Sequence, residues 1–127
     1  MTDRQLDQAR VALREEMNAH GYGYINGKHI KPPKKYELRS KELDCISMIN
    51  SILAYQGAGM TDAEAVMQME ERAYYNYLAD YVKLLGRDKV VALIQGQIDS
   101  IERVRHGVYR DSEGCTYNSI VWKDEEE

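Results

Sequence analysis

Glu70 is the residue of this chain whose neighbours most suggest chemistry, because it falls in the middle of an apolar stripe that runs from Val66 to Tyr77 at helical spacing. A carboxylate taken out of water prefers its neutral form. Its pKa rises, which is the condition of a general base or a ligand group. Tyr74, one helical turn on, is a candidate hydroxyl donor to it, and Arg105 a candidate counter-charge. A second reacting group is missing. His20, His29 and His106 stand beside glycines or turns, and Cys45 and Cys115 lie far apart, so no zinc-ligand spacing is present. There is no glycine-rich phosphate loop, no His-Glu-x-x-His, no Gly-x-Ser-x-Gly and no Cys-x-x-Cys. The expectation is a non-enzymatic protein without cofactor or metal. An enzyme centred on Glu70 is the minor alternative.

The second chemically distinct stretch is basic. Between residues 28 and 41 stand Lys28, Lys31, Lys34, Lys35, Arg39 and Lys41 against the single acid Glu37, with Tyr22, Tyr24 and Tyr36 beside them. Lysines can neutralise phosphates, and tyrosine rings offer faces on which bases stack. A further basic cluster, Arg103, Arg105, His106 and Arg110, would extend such a footprint. Against nucleic acid stands a formal net charge of −4, since domains that bind through backbone electrostatics are usually basic.

Two long stripes of helical period must position these groups. Thr61 to Leu85 begins with a capping-box pattern, Thr61-Asp62-Ala63-Glu64, and places Val66, Met67, Ala73, Tyr74, Tyr77, Leu78, Tyr81, Leu84 and Leu85 on one arc that should be buried. Gly86 suits a left-handed stop, and Asp88 is placed to cap a second helix over 88–105, whose apolar side is Val90, Val91, Leu93, Ile94, Ile98, Ile101 and Val104. A short connection between amphipathic helices predicts a central antiparallel hairpin. It is not a helix-turn-helix reader of DNA. Asp99 and Glu102 would repel phosphates from the exposed face of the second helix.

Around that hairpin the chain reads in order. Residues 2–20 form a first helix with Thr2 and Gln5 in capping-box spacing and a narrow stripe of Leu6, Ala9, Leu13 and Met17. Such a stripe fits the outside of a core, or pairing with a second copy in a homo-oligomer. Asn26-Gly27 predicts a two-residue turn in a short β-hairpin near 22–30. A helix follows from Lys41 to about Tyr55, capped by Ser40 and ended at Gly57-Ala58-Gly59; Cys45, Ile46, Ile49, Ile52 and Leu53 make it the most buried element expected. After Gly107 the period becomes extended, so a hairpin near 108–122 turns at Asp111–Gly114, and the two ribbons are candidates to join in one sheet. The acidic tail 123–127 is expected to fray. The fold class is therefore α+β, predominantly helical, with about four helices in one domain spanning 1–127.

Composition agrees with a soluble, packed protein: 43% apolar and 30% charged residues are ordinary values. No apolar run reaches the roughly 18 residues of a membrane span, and the first residues lack a secretory leader's pattern, so cytoplasmic residence with reduced thiols is expected. Ten tyrosines and no phenylalanine favour half-buried aromatics with accessible hydroxyls, a composition suited to protein interfaces. The reading that follows is a small protein-interaction module, an inhibitor or adaptor of the kind that phages and other mobile elements encode, which occupies a partner's surface. Its expected partner-binding residues are Tyr22, Tyr24, Lys28, Lys31, Lys34, Lys35, Tyr36, Arg39 and Trp122. The alternative is a nucleic-acid-binding accessory protein using the same basic segment. No resemblance to a known family carries either reading.

Overall fold

The computed structural model describes residues 1–56, 62–110 and 116–123. Along the chain come α1 (Asp3–Ala19), β1 (Gly23–Ile25), β2 (Lys28–Ile30), α2 (Lys34–Gln56), α3 (Ala63–Arg72), α4 (Ala79–Leu85), α5 (Arg87–Ser100), β3 (Ile101–Arg110) and β4 (Thr116–Trp122). The fold is α+β and predominantly helical, with five helices described where the sequence pattern predicts about four. The ribbons β1–β2 and β3–β4 are separate two-stranded antiparallel sheets rather than one.

α1 starts and stops as its sequence directs. Thr2 Oγ1 accepts from the Gln5 amide at 3.1 Å and Gln5 Oε1 accepts from the Thr2 amide at 2.9 Å, a complete capping box. At the other end Gly21 adopts φ +81°, the Gly21 amide donates to Asn18 O and the Tyr22 amide to Met17 O, the bonding of a Schellman stop. This closure launches the β1–β2 hairpin, whose turn residues Asn26 and Gly27 both take positive φ as the Asn-Gly dipeptide requires.

α2 is longer than its apolar pattern predicts, beginning at Lys34 instead of Lys41. Pro33 is the reason. Its carbonyl accepts from the Tyr36 amide at 3.1 Å, so the helix is launched directly off the Pro32-Pro33 pair and Ser40 lies inside it rather than capping it. Leu43, Cys45, Ile46, Ile49, Ile52 and Leu53 of α2 are buried. They serve two clusters. Leu43 and Ile46 pack with Leu6 of α1, while Cys45, Ile49, Ile52 and Leu53 pack with Ala63, Val66, Met67, Leu78, Val90 and Ile94 from α3, the α3–α4 connection and α5. Leu93 borders both clusters and joins them. Each fully buried aliphatic side chain contributes about 1.5–3 kcal/mol relative to exposure.

The expected single helix over 61–85 is two. α3 is capped by Asp62, whose carboxylate accepts from the Glu64 amide at 3.0 Å; Thr61 lies outside the described residues, and the Glu64 side chain bonds Arg87 instead of closing a capping box. Helix α3 then ends where Ala73 turns to ψ 155°, and α4 begins only at Ala79. Beyond it Gly86 takes φ +90° and ψ 147°, and α5 begins at Arg87, so Asp88 sits in the first turn without capping it. α5 stops at Ser100, not at 105. Ile101 is already extended and pairs with Trp122, and the Lys123 amide donates to Ser100 O, so 101–105 belong to a strand of the C-terminal hairpin, which is longer than the 108–122 expected. The hairpin's turn at 111–114, the 57–59 connection, Cys115 and the tail 124–127 fall outside the described residues.

A polar knot ties three elements together under this core. Gln97 of α5 donates through Nε2 to Asn50 Oδ1 of α2 at 2.6 Å and to the Met1 carbonyl at 2.8 Å, and Asn50 Nδ2 donates to the same carbonyl at 3.2 Å. Both amides are buried. Removing Gln97 leaves the Asn50 Oδ1 without its buried donor, and removing Asn50 leaves one Gln97 N–H without its acceptor, at a cost of about 1–3 kcal/mol. Gln97→Ala is therefore expected to lower stability by that amount in urea unfolding, and Asn50→Ala combined with Gln97→Ala by less than the sum of the two single changes. Gly86→Ala meets no heavy atom within 4 Å. It is expected to cost about 1 kcal/mol or more through its backbone angle alone, read as a lower urea midpoint at unchanged slope.

Candidate interaction surfaces

The basic segment is not a loop but runs from β2 into the start of α2. Lys28 lies on β2, Lys31 follows it, and Lys34, Lys35 and Arg39 occupy the first turns of α2; Lys28, Lys31, Lys34 and Lys35 are all exposed. No described carboxylate lies within ion-pair distance of these four, whereas Arg39 is engaged by Glu42 at 2.8 Å. Ring contacts run from the end of α1 to the first turn of α2. His20 stacks on Tyr22 with centroids 6.4 Å apart, Tyr22 meets Tyr36 at 5.7 Å, and the Lys35 ammonium sits 5.0 Å over the Tyr36 ring. On the hairpin, Tyr24 and His29 are register partners and their rings approach to 5.1 Å. Tyr24 is 82% exposed.

Two of the expected binding residues are core residues instead. Tyr36 is buried as the anchor between hairpin and α2, and Trp122 is buried at the end of β4 opposite Ile101. Both are withdrawn from any contact surface by the packing that holds the ribbons to the helices. Arg103, Arg105, His106 and Arg110 belong to β3; their side chains lie outside the described part of the molecule, and with them the expected Arg105 partner for Glu70.

A second aromatic surface stands where the apolar stripe predicts core. Residues 73–78 leave the helical path, and Tyr74 is 93%, Tyr75 65% and Tyr77 57% exposed. Tyr74 and Tyr75 pack edge to face at 4.8 Å, and Tyr75 lies 6.2 Å from Tyr77. Only Leu78 of this stretch is buried. Two side chains shape the turn by taking backbone amides that a continuous helix would satisfy: Asn76 Oδ1 accepts from Leu78 N at 3.0 Å, and Glu70 Oε2 accepts from Tyr77 N at 3.3 Å. The signal was present in the sequence. Tyr74-Tyr75-Asn76-Tyr77 has poor helix propensity, and asparagine readily bonds an amide two residues on.

Glu70 thus has a structural task. It is 5% exposed, burial raises its pKa, and the Tyr77 amide opposes that shift. Tyr74 points away into solvent and does not donate to it. A neighbouring ionic cluster holds the base of the turn: Arg87, at the start of α5, reaches Glu71 Oε1 at 2.9 Å and also bonds Glu64, both on α3. The Arg87 guanidinium pulls the Glu64 carboxyl below its ordinary range, and both carboxylates hold Arg87 protonated. All three are at least partly open to solvent, so the cluster orients α3 on α5 more than it stabilises them.

Nothing else among the described residues gathers into a reactive centre. Cys45 is buried in the main cluster and burial pushes its thiol up to about 12, so it is an inert core residue. No group of three His, Cys, Asp or Glu residues that could hold a metal occurs among the described residues. Among them, too, no helix is long and apolar enough to cross a membrane. Comparison with known proteins gives no match: neither a family model, nor a curated protein, nor a solved structure is significantly similar to the chain.

Because the Glu70 pKa is raised on folding, the folded state binds its proton more tightly than the unfolded state, and this group favours folding most below its ordinary pKa and progressively less as pH rises through the folded value. Glu70→Gln keeps an acceptor for the Tyr77 amide but cannot ionise. Its stability relative to the parent is expected to increase between about pH 4 and pH 7, whereas Glu70→Ala, which removes the acceptor, is expected to lose about 1–3 kcal/mol. Urea unfolding of the three proteins across that range checks both.

Proposed function

We propose that the protein is a non-enzymatic, cytoplasmic interaction module that binds a protein partner through the Tyr74–Tyr77 turn. The observation that carries this reading is that three neighbouring tyrosines stand in solvent on a short turn whose backbone is held by Glu70 and Asn76. Tyr74, Tyr75 and Tyr77 all lie outside the buried core of the described residues. Tyrosine is the residue type that supplies large contact area at low entropic cost in interfaces, and a turn already fixed in shape loses less freedom on binding than a mobile one.

The chemistry of the described residues supports binding over catalysis. Glu70, the one buried carboxylate singled out by the sequence, is engaged with a backbone amide, and no second reacting group is within its hydrogen-bonding set. An inhibitor or adaptor that covers a partner's surface needs no more than a shaped patch.

The test is affinity capture from the source cell, with nuclease treatment, followed by titration of the captured protein against the parent and two variants. Tyr74→Ala with Tyr75→Ala is expected to weaken the complex at least 30-fold, about 2 kcal/mol, while leaving the unfolding midpoint unchanged because both side chains are exposed. Lys31→Glu with Lys34→Glu is expected to leave that complex intact. Loss of the partner with the lysine pair and not with the tyrosine pair would move the protein interface to the β1–β2 hairpin.

A further inference from the structure

We propose that the β1–β2 hairpin and the start of α2 form a second, independent binding surface, which takes single-stranded nucleic acid along its lysines and stacks a base on Tyr24. The charge is strongly polarised. Residues 28–41 hold six cations and one acid, a net +5 in a chain of net −4, which leaves −9 on the remainder. Lys28, Lys31, Lys34 and Lys35 are exposed and have no described carboxylate within ion-pair distance. The acidic remainder repels a polyanion and so confines it to this end of the molecule.

Lys31, Lys34 and Lys35 follow one another closely where the hairpin passes into α2, and all three are exposed. The Tyr22–Tyr36 contact ties the residue that leads into β1 to the first turn of α2, where Lys35 holds its ammonium 5.0 Å over the Tyr36 ring. Pro32 and Pro33 shorten and stiffen the link between β2 and α2. Tyr24 and His29 provide an aromatic pair on one face of the hairpin, whereas Lys28, the register partner of Ile25, is on the other, so the cations assigned to a strand stacked on Tyr24 are Lys31, Lys34 and Lys35. Basic residues interleaved with exposed rings are what a single strand needs, since its phosphates are neutralised and its unpaired bases stack. A duplex has no free base for Tyr24. An anionic membrane would call for apolar residues at the tip of the hairpin, where Asn26 and Gly27 stand instead.

The experiment is fluorescence anisotropy with labelled oligodeoxythymidine and oligouridine of about 12 nucleotides, titrated with the full chain at several salt concentrations. Saturable binding of either strand is expected, falling steeply between about 50 and 200 mM salt. Lys31→Glu with Lys34→Glu should weaken it at least tenfold and reduce the slope of log affinity against log salt by about 0.7 for each phosphate that is no longer neutralised. Tyr24→Ala should weaken it about fivefold or more at unchanged slope, and Tyr24→Phe should restore it, because stacking is uncharged. The proposal is overturned by absence of binding at low salt, by Tyr24→Ala binding as the parent does, or by equal or tighter binding of a duplex of the same length or of phosphatidylserine vesicles. Circular dichroism of each variant checks that the fold is retained.

Discussion

The need to cover α2 on two sides governs the arrangement of everything else. Its apolar residues do not form one stripe: Leu43 and Ile46 face α1, and Cys45, Ile49, Ile52 and Leu53 face α3, α4 and α5. A helix that is apolar around much of its circumference is stable only when enclosed. α1 closes one side with little more than Leu6 and the edges of Ala9 and Leu13, which explains how so thin a stripe can be sufficient. The later helices together with strand β4 close the other. The Asn50–Gln97 pair between α2 and α5 then favours one register, because a misaligned pair would lose the buried bond between the two amides.

Enclosure of α2 also explains the break between α3 and α4. Leu78 is fully buried in the main cluster while Tyr74, Tyr75 and Tyr77 are outside it, a division that a continuous helix from 61 to 85 would not allow, since Tyr74, Tyr77, Leu78 and Tyr81 would share one side. Bending the chain at Ala73 resolves the conflict between three bulky hydroxyl-bearing rings and a compact aliphatic core. The amides freed by the bend are bonded by Asn76 and Glu70. A buried carboxylate is an expensive acceptor. The same group that maintains the turn therefore weakens the fold as it ionises, and the tyrosine surface and the pH response of stability have a common origin in Glu70.

Much of the fold could be read from local pattern. The Thr2–Gln5 box, the Gly21 stop, the Asn26-Gly27 turn, the glycine break at 86 and the burial of Cys45, Ile49 and Leu53 follow from side-chain chemistry within a few residues, and all appear in the structure. Periodicity misled where two elements shared one stripe. Ile101 continues the apolar side of α5 at helical spacing, yet pairing with Trp122 draws it into a strand, and no property of residues 95–105 taken alone encodes that partner. Of the candidate surface, the exposure of Lys28, Lys31, Lys34, Lys35 and Tyr24 was legible in the sequence, whereas the burial of Tyr36 and Trp122 was not.

What the sequence by itself determined is the set of local commitments: where helices can start, where glycine must turn, which segments are apolar enough to be enclosed, and that positive charge gathers in residues 28–41. These depend on intrinsic backbone preferences and on charge, which act over short distances along the chain. Only the tertiary structure decided which tyrosines face water. Tyr36 and Tyr74 have the same side chain, and both lie beside helical stripes; one is held between a hairpin and α2, and the other projects from a turn that Glu70 keeps out of the core. That assignment depends on which surfaces α2 leaves uncovered, a property of the packed whole.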